Sequence, residues 1–125
     1  MLFTQKSEVD IHEMSPLALA FVGDAVLELL VRARLVGTTR LQPNRLHTVA
    51  THYVSAHAQN LELDIIEPML TDAEAAVLRR GKNASKATVA KHATVQEYRA
   101  STGFECLLGW LYLRGKNDRI EELFN

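Results

Sequence analysis

The chain has 125 residues, of which 47% are hydrophobic and 23% are charged, and its formal net charge is -1. These values exclude a disordered chain, and the length is sufficient for one hydrophobic core without disulfides or structural zinc. No apolar run reaches the ~18 residues that a membrane-spanning helix needs. We therefore predict a single domain over residues 1–125 that does not enter a membrane.

Helix signals dominate the sequence and strand signals are nearly absent, which predicts an all-α fold. Ser15 followed by Pro16 predicts the start of a helix of about twenty residues that Gly37 ends. Pro43 predicts the start of a second helix of similar length, in which apolar residues recur at helical spacing as far as Leu61.

Two capping boxes predict the starts of the next helices. Residues 71–74, TDAE, open a short helix that Gly81 would close, and residues 94–97, TVQE, open a helix through Leu113 that ends near Gly115. Residues 118–124 are predicted to form one or two further turns.

The positive charge is concentrated in one part of the chain. Positions 79–99 contain six Lys or Arg against one acid, whereas the rest of the sequence holds eight basic and fourteen acidic residues. Half of these six lie in GKNASKATVAKHA, residues 81–93, whose small residues and lack of periodicity predict an exposed loop. A local positive field of this kind is typical of a surface that binds phosphates, although a solvated basic loop without a ligand is the alternative.

Two carboxylates stand in apolar helical segments. Asp24 lies in FVGDAVLELLVRARL, and Glu105 is the only acid in STGFECLLGWLYLRG. A glycine lies near each of them, Gly23 and Gly109, and a glycine inside a helix commonly marks a close approach of two backbones. We therefore expect two helices to cross at these glycines and to bring two buried carboxylates together.

Two buried carboxylates can both stay ionised only if a cation lies between them, and oxygen ligands favour Mg²⁺ or Mn²⁺. Helix capping or buried hydrogen bonding is the alternative role of Asp24 and Glu105. A zinc site is not expected, because His47, His52 and His57 are five residues apart and their side chains point in directions about 140° apart on a helix.

Four blocks of the sequence, in the right order, resemble the ribonuclease III family. FVGDAVLELLV, residues 21–31, resembles the family signature, and STGFECLLGWLYL, residues 101–113, resembles its second catalytic helix. HYVSAHAQ and VLRRGKNASKAT, residues 52–59 and 77–88, resemble the family's minimal branch, Mini-ribonuclease III, which has the catalytic domain without a double-stranded-RNA-binding domain. The resemblance covers nearly the whole chain, and the same domain composition is expected of a chain that ends at Asn125.

The resemblance implies a dimeric ribonuclease III endonuclease domain that cuts double-stranded RNA and leaves 5′-phosphate and 3′-hydroxyl ends. It assigns Asp24 and Glu105 to the catalytic, metal-binding carboxylates, with Mg²⁺ as the cofactor and Mn²⁺ as a substitute. For the minimal branch it further implies maturation of the large-subunit (23S) ribosomal RNA precursor, with a ribosomal protein as a candidate partner that presents the substrate. The candidate RNA contacts of the basic segment are Arg79, Arg80, Lys82, Lys86 and Lys91.

Other acidic residues that are usual in the family have no counterpart in this sequence. Leu17, Ala20 and Thr102 stand where the full-length family usually has acidic residues. A double-stranded-RNA-binding scaffold that no longer cuts and a helical protein-interaction module therefore remain alternatives to the nuclease. Glu28, one turn after Asp24, is expected to form a salt bridge with Arg32 rather than to bind metal.

A second reason to expect a dimer is the apolar excess of the first helix, which exceeds what one narrow stripe can bury. The residues concerned are Val26, Leu27, Leu29, Leu30, Val31 and Leu35. The N-terminus, MLFTQKSEVDIHEM, contains acids and resembles neither a secretory signal nor a transit peptide. The lone cysteine, Cys106, is predicted to be a buried, inert thiol, as is typical of the cytoplasm.

Overall fold

The computed structural model describes residues 8–85 and 94–124, and all regular structure in these ranges is helical. Short 3-10 turns at Ile11–Glu13 and Glu67–Met69 precede and interrupt the α-helices. The α-helices are α1 (Pro16–Thr38), α2 (Pro43–Tyr53), α3 (Ala56–Ile66), α4 (Asp72–Ala84), α5 (Val95–Leu113) and α6 (Asn117–Phe124). The all-α prediction is confirmed, and none of these helices is long and apolar enough to cross a bilayer.

Side-chain caps begin the helices where the sequence predicted. The Ser15 hydroxyl accepts a hydrogen bond from the first turn of α1. Both predicted capping boxes are complete, Thr71 with Glu74 at α4 and Thr94 with Glu97 at α5. Each box satisfies backbone N–H groups that a helix leaves without a partner at its N-terminus.

The second predicted helix is in fact two helices, so that prediction is wrong. α2 ends at Tyr53, and α3 begins at Ala56 with Ser55 as its cap, whose hydroxyl accepts a hydrogen bond from the Ala58 N–H at 3.1 Å. A serine offers the backbone a local partner that competes with continuation of the helix. Because the apolar residues keep helical spacing across Ser55, the sequence pattern did not indicate that this serine begins a new helix.

Gly81 does not close α4, which continues to Ala84. A Cβ on Gly81 would lie 2.7 Å from the Cβ of Cys106 and 2.8 Å from the Cα of Gly103, so this glycine permits α4 to pack closely on α5. Lys82 is half-buried and Ser85 is buried, so the predicted exposed loop does not begin at position 81. Residues 86–93 of that segment lie outside the described residues.

α5 is the central helix of the core. Phe104, Leu107, Leu108 and Leu111 are each 1% exposed, and α1, α3 and α4 pack around them. α6 adds the buried Ile120 and Leu123 to the same cluster. This arrangement holds α1 and α5, which carry the two predicted carboxylates, in direct contact.

The apolar excess of α1 is mostly buried within a single chain. Val26, Leu27 and Leu35 are buried, and Leu30 and Val31 pack against the core as half-buried residues. Of the six residues that suggested a dimer, Leu29 is exposed, at 50%. The core of one chain therefore accounts for most of this excess, which removes that reason for expecting a dimer.

Candidate active site

α1 and α5 cross at Gly23 and Gly109, as the sequence predicted. A Cβ on Gly23 would lie 1.6 Å from the carbonyl oxygen of Glu105, and a Cβ on Gly109 would lie 1.9 Å from the carbonyl oxygen of Leu19. No side chain fits in either place, because real Cβ contacts do not fall below about 3 Å. The two backbones therefore touch, and only glycine permits this contact.

Asp24 and Glu105 meet beside the crossing. Their side chains are close enough for Asp24 to act on the pKa of Glu105, and the Glu105 carboxyl is mostly buried. Burial, the hydrogen bond with Asp24 and the negative charges of Asp24 and Glu28 together raise the pKa of Glu105 to about 8. Glu105 is therefore mostly protonated at neutral pH unless a cation takes the place of the proton.

Asp24 is exposed, and the prediction that it is buried is wrong. α1 packs on the core through Leu19, Gly23, Val26 and Leu27, which leaves the Asp24 side of the helix open to solvent. Phe21, whose apolar character suggested a buried environment for Asp24, is 83% exposed. The carboxylate pair thus combines one exposed and one largely buried group, so that solvent reaches it from the Asp24 side.

Asp24 and Glu105 both lie in helix interiors and cap neither helix. Glu28 forms the predicted salt bridge with Arg32, whose Nε lies 3.1 Å from Oε2 of Glu28. Within residues 8–85 and 94–124, no group of three or more His, Cys, Asp or Glu side chains is placed to hold a metal. The two carboxylates alone fit Mg²⁺, which proteins commonly bind through one or two carboxylates together with water and substrate phosphates.

The histidines and the cysteine do not contribute to this pair. His47, His52 and His57 are exposed, and His57 hydrogen-bonds to Glu97 at the start of α5. Cys106 is buried, and its burial raises the pKa of the thiol to about 11. The prediction that this thiol is buried is therefore confirmed.

The five candidate RNA contacts have different environments. Arg79 and Arg80 are exposed on α4, whereas Lys82 is half-buried and donates to Glu67 at 3.1 Å. The charge of Arg80 opposes the effect of burial on the pKa of Cys106, so this arginine lies near the thiol on α5. The remaining two candidates, Lys86 and Lys91, lie outside the described residues.

Comparison with known proteins identifies the family. The sequence model of the family 'Ribonuclease III domain' matches residues 17–116 of this chain. Mini-ribonuclease 3 of Enterococcus faecalis is 46% identical over 118 residues, which cover 93% of this chain and 89% of the relative. Mini-ribonuclease 3 of Brevibacillus brevis is 44% identical over 121 residues, which cover 95% of this chain and 90% of the relative.

The fold of a solved protein agrees with this result. The crystal structure of a protein from Fusobacterium nucleatum is similar with a TM-score of 0.85 and 31% identity, and the similarity covers 94% of this chain and 96% of that one. The resemblance predicted from four sequence blocks is thus confirmed over most of the chain. The chain belongs to the ribonuclease III family of endoribonucleases and is a homologue of Mini-ribonuclease 3.

Proposed function

We propose that the protein is a Mg²⁺-dependent endonuclease that hydrolyses double-stranded RNA to 5′-phosphate and 3′-hydroxyl ends. The observation that carries this proposal is the juxtaposition of Asp24 and Glu105 beside the α1–α5 crossing. Membership of the ribonuclease III family supports double-stranded RNA as the substrate. The exposure of Asp24 supports access by a phosphodiester backbone.

Asp24 and Glu105 would hold the ion, with Mn²⁺ as a substitute. A bound Mg²⁺ supplies a Lewis acid for the scissile phosphate and for the attacking water. Glu105 has to release its proton before it can act as a ligand, because burial and the neighbouring acids raise its pKa to about 8. The glycines at the crossing hold the two carboxylates on rigid helices, which limits their movement relative to each other.

The basic residues have a separate role in this proposal. A protein recognises A-form RNA mainly through phosphates and 2′-hydroxyls, and exposed arginines suit that task. Arg79 and Arg80 are the exposed candidates on α4, and Lys86 and Lys91 are proposed as further contacts. Lys82 can contact RNA only if it leaves its ion pair with Glu67.

The decisive experiment is the digestion of a perfect RNA duplex, with and without Mg²⁺, by the wild-type protein, Asp24→Asn and Glu105→Gln. We expect both variants to lose cleavage while they fold and bind duplex RNA, because each keeps its shape and loses a metal-binding charge. Glu28→Gln is the matched control, since Glu28 is paired with Arg32, and we expect it to keep most of the activity.

Each alternative gives a different result. Undiminished cutting by Asp24→Asn or Glu105→Gln would refute the assigned roles. A scaffold that no longer cuts would bind the duplex and leave it intact in Mg²⁺, and a protein-interaction module would have no affinity for duplex RNA.

We further propose that the protein is a homodimer. α1 exposes large apolar side chains along its length: Leu17 at 45%, Phe21 at 83%, Leu29 at 50% and Val36 at 68%. An apolar surface of this extent is typical of an interface between proteins. These side chains lie on the helix that carries Asp24, so a second copy seated on them would lie near the carboxylate pair.

We also propose that the substrate is the precursor of 23S ribosomal RNA, that a ribosomal protein presents it, and that residues 1–125 act as one catalytic domain in the cytoplasm. The similarity to Mini-ribonuclease 3 and the buried, unreactive Cys106 support these assignments. A transcript of the precursor should be cut at a defined position, whereas an unrelated duplex of equal length should be cut more slowly. Equal rates for the two would argue against the ribosomal substrate.

A further inference from the structure

The outer face of α3 carries an apolar ridge, formed by Leu61, Ile65 and Met69. The buried face of the helix consists of Gln59, Leu63 and Ile66. Leu61 and Ile65, one turn apart on the opposite side, are 53% and 66% exposed, and Met69 in the following 3-10 turn is 45% exposed. Exposed apolar side chains that are grouped in this way commonly mark an interaction site.

Acidic residues flank the ridge on both sides. At about 100° per residue, Glu62 and Asp64 lie about 80° to either side of the line through Leu61 and Ile65. Neither forms an ion pair with another described residue, so both negative charges are available to a partner. Between His57 and Arg79 the chain has five acidic residues and no basic one.

Two other acidic residues near the ridge, unlike Glu62 and Asp64, form ion pairs within the protein. Lys82 pairs with Glu67, and Arg119 pairs with Glu74. Glu62 and Asp64, beside the ridge, therefore take no part in the ion pairs of the described residues. The ridge belongs to α3 and the turn after it, whereas the carboxylate pair belongs to α1 and α5. Asp64 also borders a groove lined by Lys82 and Arg99, so the excess of acids is confined to the ridge itself, where it favours a basic partner over a nucleic acid.

We propose that the ridge binds a basic amphipathic segment of another protein, whose apolar side chains lie on Leu61, Ile65 and Met69 while Lys or Arg side chains on its two flanks face Glu62 and Asp64. In this mode two amphipathic faces pack on each other, apolar residues at helical spacing provide affinity and flanking charges provide orientation. The inference does not depend on the proposed nuclease activity, because it uses no residue of the carboxylate pair.

The test uses a fluorescein-labelled helical peptide of about 18 residues, built from Leu, Lys and Ala, with leucines one turn apart and lysines on both flanks. Fluorescence anisotropy measures its binding to the full-length protein. We expect the double variant Leu61→Asn/Ile65→Asn to bind at least roughly tenfold more weakly, because it removes two apolar contacts at the centre of the surface. Leu41→Asn is the matched control, since Leu41 is an exposed apolar residue between α1 and α2 that belongs neither to the ridge nor to the proposed dimer surface.

The charges are tested separately with Glu62→Gln/Asp64→Asn. This variant preserves side-chain shape, and we expect it to bind the peptide more weakly and with a smaller dependence on salt. If circular dichroism shows that the apolar double variant is unfolded, the result for this charge variant decides the test. A peptide with glutamates in place of the lysines should not bind.

Three results would overturn the inference. The first is absence of peptide binding, and the second is binding that neither pair of substitutions weakens. The third is a lower molecular mass of Ile65→Asn in light scattering, which would identify the ridge as an interface between copies of this chain. Cleavage of duplex RNA by these variants should be unchanged, which separates the outcome from that of the nuclease proposal.

Discussion

At the scale of single residues, Glu105 shows how neighbours change the chemistry of a carboxyl group. Burial disfavours its charged form most strongly, and Asp24 and Glu28 add to the effect, so that its pKa is raised from 4.5 to about 8. A carboxylate that releases its proton only when a cation arrives is suited to bind metal and substrate together. The sequence indicated this pairing because an acid and a glycine recur together in two apolar helices.

The raised pKa predicts the pH dependence of stability in metal-free protein. Below about pH 4.5 Glu105 is protonated in both the folded and the unfolded chain, so its contribution is constant there. As the pH rises toward about 8, the unfolded chain loses this proton while the folded protein keeps it, and the free energy of unfolding decreases. Glu105→Gln removes this dependence and should melt at a higher temperature than the wild type at pH 8.

Thermal unfolding in the presence of a chelator, at pH 5 and pH 8, measures the effect. The difference between Glu105→Gln and the wild type should be larger at pH 8 than at pH 5. An equal difference at the two pH values would show that the proton on Glu105 does not influence stability.

At the scale of helices, the contact of α1 with α5 depends on the absence of two side chains. Gly23→Ala would place a Cβ 1.6 Å from the carbonyl oxygen of Glu105, so the helices must separate. We expect a loss of about 3 kcal/mol or more in the free energy of unfolding, comparable with overpacking of a core. Cleavage should fall as well, because Glu105 moves away from Asp24.

Gly37→Ala provides the control for this prediction. Gly37 is also in α1, but nothing lies within 4 Å of the Cβ that alanine would add. The substitution should therefore stabilise the protein by up to about 1 kcal/mol through helix propensity. Denaturant unfolding of the two variants measures both values, and similar stabilities would contradict the proposed backbone contact.

The attachment of α6 to the start of α4 depends on one arginine. Arg119 donates two hydrogen bonds of 2.8 Å to the carboxylate of Glu74 and a third, of 2.7 Å, to the carbonyl of Met69. The hydrogen bonds from Arg119 lower the pKa of Glu74, so this contribution to stability is present above about pH 4.5 and is lost as the pH falls through the pKa of the folded state.

We expect Glu74→Gln to reduce the free energy of unfolding by about 2 kcal/mol at neutral pH, because it removes the buried carboxylate that accepts two hydrogen bonds from Arg119 and leaves this arginine with the exposed Glu122. The variant should also lose less stability than the wild type on acidification. Glu122→Gln is the control, since Glu122 is an exposed partner of the same Arg119, and it should change stability by about 0.5 kcal/mol or less. Equal effects of the two substitutions in denaturant unfolding would contradict the role of the buried pair.

At the scale of the whole molecule, the proposed dimer gives a direct prediction. Phe21 is 83% exposed on α1, and Phe21→Ser should shift the protein toward a monomer in light scattering at micromolar concentration. Ile65→Ser, at a residue on α3 that is 66% exposed, should leave the molecular mass unchanged. A wild-type protein that is already monomeric would exclude the dimer.

Local features of the sequence determined much of this protein. Ser15, Thr71 and Thr94 begin their helices as predicted, because a cap is a hydrogen bond between residues only three positions apart. The contact at Gly23 and Gly109 was also predictable, since a glycine inside an apolar helix indicates a close backbone approach.

The tertiary structure alone decided which surface each segment buries. Phe21 and Asp24 are exposed because α1 uses its other side against α5, and Gly81 lies within α4 as a close-packing residue, because Cys106 and Gly103 leave no room for a side chain there. The exposed ridge on α3 belongs to the same class, whereas the break between α2 and α3 has a local cause in the Ser55 cap. Burial depends on contacts between segments far apart in the chain, and the pattern within one segment does not specify which of its apolar faces another segment will cover.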